Sequence, residues 1–182
     1  VHYPDNYPYG WNQQLQATSQ PVAVSTAAAL TQSDADVMRE SAVEDLSPRL
    51  SSTEQQKLEA VQIEVVDLAG TTLGQVVGNT IYLDINAAGH GWFIDATPRD
   101  HSEFQADSSL SLIASPGSEA EGLIDLWTVI QHELGHLLGN EHAEEGVMES
   151  TLAPGERKLP DWNSETDNFF ASLNADSDML AF

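Results

Sequence analysis

The chain has 182 residues and 41% hydrophobic content, which favour a single domain with its own core. Its 29 acidic and 6 basic residues give a net charge of −23. Nucleic acid and anionic membrane surfaces would repel so acidic a chain, so we expect neither as a partner. The longest apolar runs fall far short of the roughly 20 residues that cross a bilayer, which predicts no membrane insertion.

The excess of acidic residues has two explanations that the composition leaves open. The acidic surface could coordinate calcium or keep the protein hydrated in a salty medium, or it could be a solvated surface without any ligand. The chain contains no cysteine, so disulfides are excluded.

Residues 1 to 29 are expected to form an irregular N-terminal arm or linker. The first 20 residues are rich in Tyr, Pro, Asn and Gln, and they show neither a helical nor a strand period. From Thr31 onward the pattern becomes helical.

Two amphipathic helices are predicted next. The first contains apolar residues near i, i+4 and i+8 spacing: Val37, Met38, Ala42, Val43 and Leu46. Ser33 could cap this helix, and Ser47-Pro48 ends it. The second, shorter helix is predicted from Glu54 to Ala60, after Ser52-Thr53.

Alternation of apolar and polar residues then predicts β-structure. Strands are expected over residues 61 to 65 and 80 to 85, with a turn at residues 70 to 74 between them. A further strand around residues 109 to 114 precedes the turn Ser115-Pro116-Gly117. We therefore expect an α+β fold with a small mixed sheet.

The loop from Asp84 to Asp95, followed by Asp100, His101 and Glu103, is a candidate calcium site. Oxygen donors at alternate positions of a glycine-containing loop can hold calcium, and Asp95, Asp100 and His101 could contribute to a second metal site. The alternative, which we favour, is that the Asp and Asn residues cap turns and the histidines lie at the surface.

The strongest signal is the stretch from His132 to His142, which reads H-E-x-x-H-x-x-G-x-x-H. It lies on a predicted helix that begins near residues 121 to 125. The apolar face of this helix is expected to pack on the sheet, and it consists of Ile124, Trp127, Ile130, Leu134, Leu137 and Leu138.

Each fixed position of the motif has a chemical reason. His132 and His136 are four residues apart, so both imidazoles leave the same face of a helix and can bind one ion. Glu133 lies beside the first ligand, where a carboxylate can take a proton from metal-bound water. Gly139 can end the helix in a left-handed conformation, and the reversed chain would return His142 as a third ligand.

The motif resembles that of the metzincin clan of zinc endopeptidases. Gly146-Val147-Met148, six residues after His142, is similar to the methionine turn of the clan, and the short gap most resembles the matrixin branch and its bacterial relatives. The resemblance covers residues 123 to 150. Ala143 follows the third histidine and matches none of the best-known branches, and no tyrosine after Met148 could supply the metal ligand of astacins and serralysins.

The resemblance implies a metzincin-like catalytic domain over residues 30 to 174 and a C-terminal tail over residues 175 to 182. In this fold a small mixed sheet packs on two or three helices, including the zinc-binding helix, and a short C-terminal subdomain follows the methionine turn. Met148 would form an apolar floor under one catalytic Zn²⁺. We also expect a helix from Asp161 to Leu173, a monomer, and a secreted or extracellular protein of bacterial origin, cell-surface attachment included.

The sequence thus predicts a zinc endopeptidase with a protein or peptide substrate. Zinc held by His132, His136 and His142 would activate a water molecule, Glu133 would take its proton, and the hydroxide would attack the peptide carbonyl. The alternative is a catalytically silent or latent zinc- or calcium-binding module of a large extracellular adhesin-type protein. An intact Glu133 favours the enzyme.

Overall fold

The computed structural model describes residues 14 to 161, which form a mixed α+β fold. The helices are α1 Gln32–Leu46, α2 Ser52–Glu59 and α3 Leu126–Leu137, and a 3-10 turn Ser47–Arg49 follows α1. The strands are β1 Gln14–Ala17, β2 Gln62–Val66, β3 Thr72–Val77, β4 Thr80–Asp84, β5 Trp92–Phe93, β6 Phe104–Ala106, β7 Ser111–Ala114, β8 Ile124–Asp125, β9 Thr151–Leu152 and β10 Glu156–Lys158. The predicted α+β class is confirmed.

The first two helices begin at side-chain caps. Thr31 has extended backbone and its hydroxyl accepts a hydrogen bond from the Asp34 N–H at 3.1 Å, so the predicted cap Ser33 is wrong and lies inside the first turn of α1. Ser51 and Glu54 form a reciprocal capping box at the start of α2. The predicted helix positions therefore hold, with shifts of one or two residues at the ends.

The main sheet has five strands in the order β2-β4-β3-β1-β9. β2 is parallel to β4, β3 is antiparallel to both β4 and β1, and β9 is parallel to β1. The predicted mixed sheet is therefore present. The predicted strand near residue 114 is β7, but it belongs to a separate sheet in the order β10-β7-β6, and β5 pairs with β8.

Two expectations about this sheet are wrong. Residues 14 to 17 were expected in an irregular arm, yet they form β1 inside the main sheet, with Leu15 and Ala17 buried in the core. The turn predicted over residues 70 to 74 is confined to its start, where Gly70 has a φ of +69°. Gly74 lies within β3.

α3 is the most buried helix that the structure describes, and it packs against α1 and β3. Its predicted apolar face lies in the core, and Leu138 packs against the edge of that core. Among residues 14 to 161, no helix has the length and apolar character needed to cross a membrane.

The loop considered as a calcium site is held by turn-capping side chains. The Asp84 carboxylate accepts hydrogen bonds from the N–H groups of Leu68, Asn86 and Ala88 at 2.8, 3.0 and 2.8 Å. Asp100 accepts a bond from the Ser102 N–H at 3.0 Å. These contacts confirm the turn-capping interpretation for these two residues.

Other predictions lie outside this part of the chain. The predicted C-terminal helix begins at the last described residue, Asp161, and the tail lies wholly outside the described residues. The division of the chain into arm, catalytic domain and tail stays a prediction.

Candidate metal centre

α3 begins at a buried carboxylate. Asp125 accepts hydrogen bonds from the backbone N–H of Thr128 at 3.1 Å and from its hydroxyl at 2.7 Å. Arg157 binds the same carboxylate, with Nε 2.9 Å from Oδ2 and Nη2 2.7 Å from Oδ1. A negative charge at a helix N-terminus is also stabilised by the helix dipole. These contacts fix the starting point of the helix that carries the motif.

α3 ends at Gly139 in a Schellman arrangement. The Gly139 N–H donates to the His136 carbonyl at 3.0 Å, and the Asn140 N–H donates to the Gly135 carbonyl at 3.0 Å. Gly139 has a φ of +98°, a conformation that costs an L-residue energy and glycine nothing. The left-handed glycine expected here turns the chain back toward the helix.

The structure brings the three histidines of the motif together. Their ligand nitrogens all lie within 4.8 Å of one another, and Nε2 of His132 is 2.9 Å from Nε2 of His136. The ring centroid of His142 is 5.2 Å from that of His132 and 4.9 Å from that of His136. The three side chains are therefore close enough to bind one metal ion.

Backbone carbonyls orient two of the three rings. Nδ1 of His132 lies 2.7 Å from the Val147 carbonyl, and Nδ1 of His136 lies 2.8 Å from the Asn140 carbonyl. Because a carbonyl only accepts, each Nδ1 carries the proton and each Nε2 presents a lone pair to the centre. Nε2 of His142 is buried and has no hydrogen-bond partner among residues 14 to 161.

Burial keeps these imidazoles neutral. Loss of solvent, followed by the nearby His136, lowers the pKa of His132 to about 3. Burial also lowers the pKa of His136 and that of His142. Since a metal binds the neutral imidazole, the site is prepared for a metal without first losing a proton at neutral pH.

Glu133 lies beside the histidines but is not part of their group. Its side chain is fully buried, and no side chain of the described residues donates a hydrogen bond to either carboxylate oxygen. Burial raises its pKa well above the usual range, and the backbone N–H of Leu15, which lies near the carboxylate without meeting strict hydrogen-bond geometry, opposes this shift. A buried carboxylate with so little compensation is costly, which is typical of functional sites.

Gly74 in β3 makes room for this carboxylate. A Cβ at position 74 would lie 2.9 Å from Oε1 of Glu133 and 3.0 Å from Cγ1 of Val129. The glycine that looked like part of a turn in the sequence is therefore a point of close approach between β3 and α3.

Met148 lies directly under α3. It is buried, and a Cβ at Gly135 would lie 2.5 Å from its sulfur. The turn around Met148 is closed by a bond from the Glu149 N–H to the Gly146 carbonyl at 3.1 Å, and Gly146 has a φ of +79°. This turn also supplies the Val147 carbonyl that orients His132. Met148 thus packs as an apolar floor below the motif.

Buried ion pairs behind the site were not predicted from the sequence. Asp95, proposed there as a metal ligand, instead accepts a hydrogen bond from Nη2 of Arg157 at 2.9 Å. Nη1 of Arg157 donates to the Pro98 carbonyl at 3.0 Å, and the guanidinium lies 4.3 Å from the ring centroid of Phe104. The chain has only 6 basic residues, but the sequence alone does not show which acidic residues pair with Arg157.

Comparison with protein-family models, with curated proteins and with solved structures found no match. The class of site therefore rests on geometry alone: an α+β fold in which three histidines on a helix and the following turn can bind a metal ion beside a buried glutamate.

Proposed function

We propose that the protein is a zinc-dependent endopeptidase of the metzincin clan, closest to the matrixin-like bacterial branch. The observation that carries the proposal is the position of Glu133. Glu133 follows the first histidine of the motif on α3, and its buried carboxylate lies against β3 at Gly74. The ligand nitrogens of His132, His136 and His142 converge. A purely structural metal site does not need a buried carboxylate, which lowers the stability of the fold.

The donor set fits zinc better than calcium. Three neutral imidazole nitrogens suit zinc, whereas calcium takes six to eight oxygen ligands. The carbonyls of Val147 and Asn140 hold the two helical rings in the tautomer that a metal requires. Three protein ligands also leave one position of a tetrahedral ion open, the pattern of catalytic rather than structural zinc sites.

The proposed chemistry is hydrolysis of a peptide bond. When bound, zinc supplies a Lewis acid that lowers the pKa of water and polarises a carbonyl. His132, His136 and His142 would hold it. Glu133 would accept the proton of the attacking water at a carboxylate oxygen and donate it to the leaving nitrogen. No covalent bond between protein and substrate is needed.

The remaining expectations belong to the same proposal. The substrate would be a protein or peptide. The enzyme would be a monomer that is secreted or displayed outside the cell. A net charge of −23 disfavours association with nucleic acid and anionic lipid, so neither is a proposed partner.

Cleavage of denatured casein by the zinc-loaded protein tests the proposal. The parent should cleave, a chelator should abolish cleavage, and Glu133→Gln should reduce it by about 100-fold or more, within the range for loss of a general base. The matched control is Glu141→Gln, which makes the same change at an exposed position of the same motif and should cleave like the parent.

Two outcomes would go against the enzyme. If the parent and Glu133→Gln both bind one zinc per chain and neither cleaves, even after β1 has been released from the sheet, the silent zinc-binding module is the better description. If Glu133→Gln cleaves like the parent, Glu133 is not the base.

A further inference from the structure

We infer that β1 is the chain's own occupant of a peptide-binding groove, held between β3 and β9 as an extended substrate would be. The inference rests on the proposed function. It adds that the groove binds an extended peptide and that β1 blocks the groove until it is displaced.

The first argument is the pairing of β1. It runs antiparallel to β3, with Leu15 opposite Gly74, and parallel to β9, with Ala17 opposite Leu152. Within the described residues, β9 joins the main sheet only through β1. Removing β1 would leave two facing strand edges separated by the width of one strand, which is the geometry of peptide binding by strand addition.

Backbone hydrogen bonds hold β1 from both sides. On the β9 side, the N–H groups of Gln16 and Thr18 donate to the carbonyls of Ser150 and Leu152, each at 3.1 Å. On the β3 side, the Ala17 N–H donates to the Thr71 carbonyl at 2.8 Å. Backbone bonds of this kind do not depend on side-chain identity, so another extended peptide could replace β1.

The second argument is the position of β1 relative to Glu133. Leu15 lies opposite Gly74, the residue whose backbone closely approaches Oε1 of Glu133. The Gln14–Leu15 peptide bond therefore lies in the strand next to the point of β3 that contacts the proposed base.

The side chains of β1 define what the groove selects. Leu15 is 1% exposed and Ala17 is 5% exposed, whereas Gln16 points to solvent. The groove thus takes an extended peptide with an aliphatic residue of leucine size at the place of Leu15 and a small residue two positions later. An exposed polar residue is tolerated between them.

The segment after β1 allows release. Residues 18 to 29 are mostly exposed, and Val22 is fully exposed, before Leu30 enters the core. The segment's contacts are with loops of the body: Nε2 of His90 lies 2.8 Å from the Ser19 carbonyl, Nε2 of Gln20 donates to the Gly70 carbonyl at 3.0 Å, and the Ser25 N–H donates to the Gly89 carbonyl at 2.7 Å. None of these contacts involves α1, so β1 can leave the groove without disturbing that helix. In the arrangement described here, a substrate must displace β1.

The test severs this segment in the full chain. A recognition sequence for a specific protease, inserted between Val22 and Ala23, frees β1 after cleavage and leaves the core residues unchanged. A fluorescent peptide of residues 14 to 20 is then added in excess, and binding is followed by polarisation. The severed protein should bind this peptide more tightly than the uncut protein, in which the tethered β1 competes for the groove.

Two peptide variants test the predicted selectivity. Leu15→Asp in the peptide should weaken binding by about tenfold or more, because it places a charge in an apolar pocket. Gln16→Asp is the matched control and should bind within about threefold of the parent peptide, because its side chain faces solvent. Absence of binding to the severed protein, or equal binding of the Leu15→Asp peptide, would overturn the inference.

Hydrogen exchange in the intact chain provides a second measurement. Leu15→Asp should speed exchange of backbone amides in β3 and at residues 150 to 152, while β2 and β4 keep their protection. Unchanged protection of β3, or an equal loss of protection in every strand, would show that β1 is not an exchangeable occupant.

The two proposals fail in different ways. If the severed protein binds the peptide but no form cleaves casein, peptide binding in the groove is supported and endopeptidase activity is refuted. If casein cleavage is the same before and after severing and the added peptide does not inhibit it, endopeptidase activity is supported and the assignment of β1 as the occupant of the groove is refuted.

Discussion

Arg157 and Asp125 form a two-point ion pair inside the protein, with Nη2 2.7 Å from Oδ1 and Nε 2.9 Å from Oδ2. The pair connects β10 to the first turn of α3. Arg157 is fully buried and also binds Asp95 at 2.9 Å, so one cation pairs with two carboxylates. The position of the motif on α3 therefore depends on a residue beyond the methionine turn.

Replacing Arg157 should be strongly destabilising. Arg157→Met leaves two buried carboxylates without a cation, and breaking a buried pair in this way costs about 3 to 5 kcal/mol. The control is Arg99→Met: Arg99 is 51% exposed and pairs with Glu44 at 3.2 Å, so its loss should cost less than about 1 kcal/mol. Urea unfolding of the metal-free proteins measures both. Equal losses for the two variants would contradict the role of Arg157.

The packing of Met148 on α3 predicts a steric conflict at Gly135. Gly135→Ala would place a Cβ 2.5 Å from the sulfur of Met148, so the variant should be destabilised and its zinc affinity should fall. Adding Met148→Ala should recover part of the loss, because the sulfur is removed. A double-mutant cycle of unfolding free energies measures this coupling. Strictly additive effects would show that the two residues do not press on each other.

The histidines predict loss of stability in acid for the metal-free protein. The pKa of His132 is lowered to about 3, so below its usual value of 6.5 the unfolded chain binds a proton that the folded protein does not. Above pH 6.5 His132 does not lower the free energy of unfolding. As the pH falls from 6.5 toward 3, protonation of His132 in the unfolded chain lowers that free energy progressively. His132→Gln should reduce the slope of unfolding free energy against pH by up to about 1.4 kcal/mol per unit between pH 6.5 and 4.5. An unchanged slope would contradict the burial of His132.

Glu133 predicts the opposite dependence. Because its pKa is raised, its cost to the metal-free fold is absent in acid and grows as the pH rises above the usual carboxylate range. Glu133→Met should therefore stabilise the metal-free protein at pH 7 by about 1 to 3 kcal/mol, and the gain should shrink toward pH 4.5. Thermal unfolding at both pH values measures this. Glu141→Met, at an exposed position, is the control, and a loss of stability in Glu133→Met at pH 7 would refute the prediction.

The candidate site was predictable where its geometry is local. His132 and His136 share a helix face because of the helical repeat, and Gly139 ends the helix because its conformation costs glycine nothing. His142 then follows within a few residues. A single stretch of sequence contains this information, so the approach of the three histidines could be expected without knowledge of the rest of the chain.

The parts that were missed depend on distant partners. β1 contains two glutamines among four residues, too short and polar a pattern to predict a strand, and it is stabilised by β3 and β9. Gly74 looked like a turn residue because its real role, close approach to Glu133, arises only when α3 packs on β3. Asp95 looked like a metal ligand because the position of Arg157 was unknown.

The most direct test of the account is a titration of the metal-free protein with zinc, followed by measurement of bound metal. The parent should bind one zinc per chain, His132→Ala should lose at least about tenfold in affinity, and Glu133→Gln should still bind one equivalent. His90→Ala is the control, because His90 lies outside the three-histidine group, with Nε2 2.8 Å from the Ser19 carbonyl. Equal zinc affinity in the parent and His132→Ala, or no binding by the parent, would contradict the metal centre.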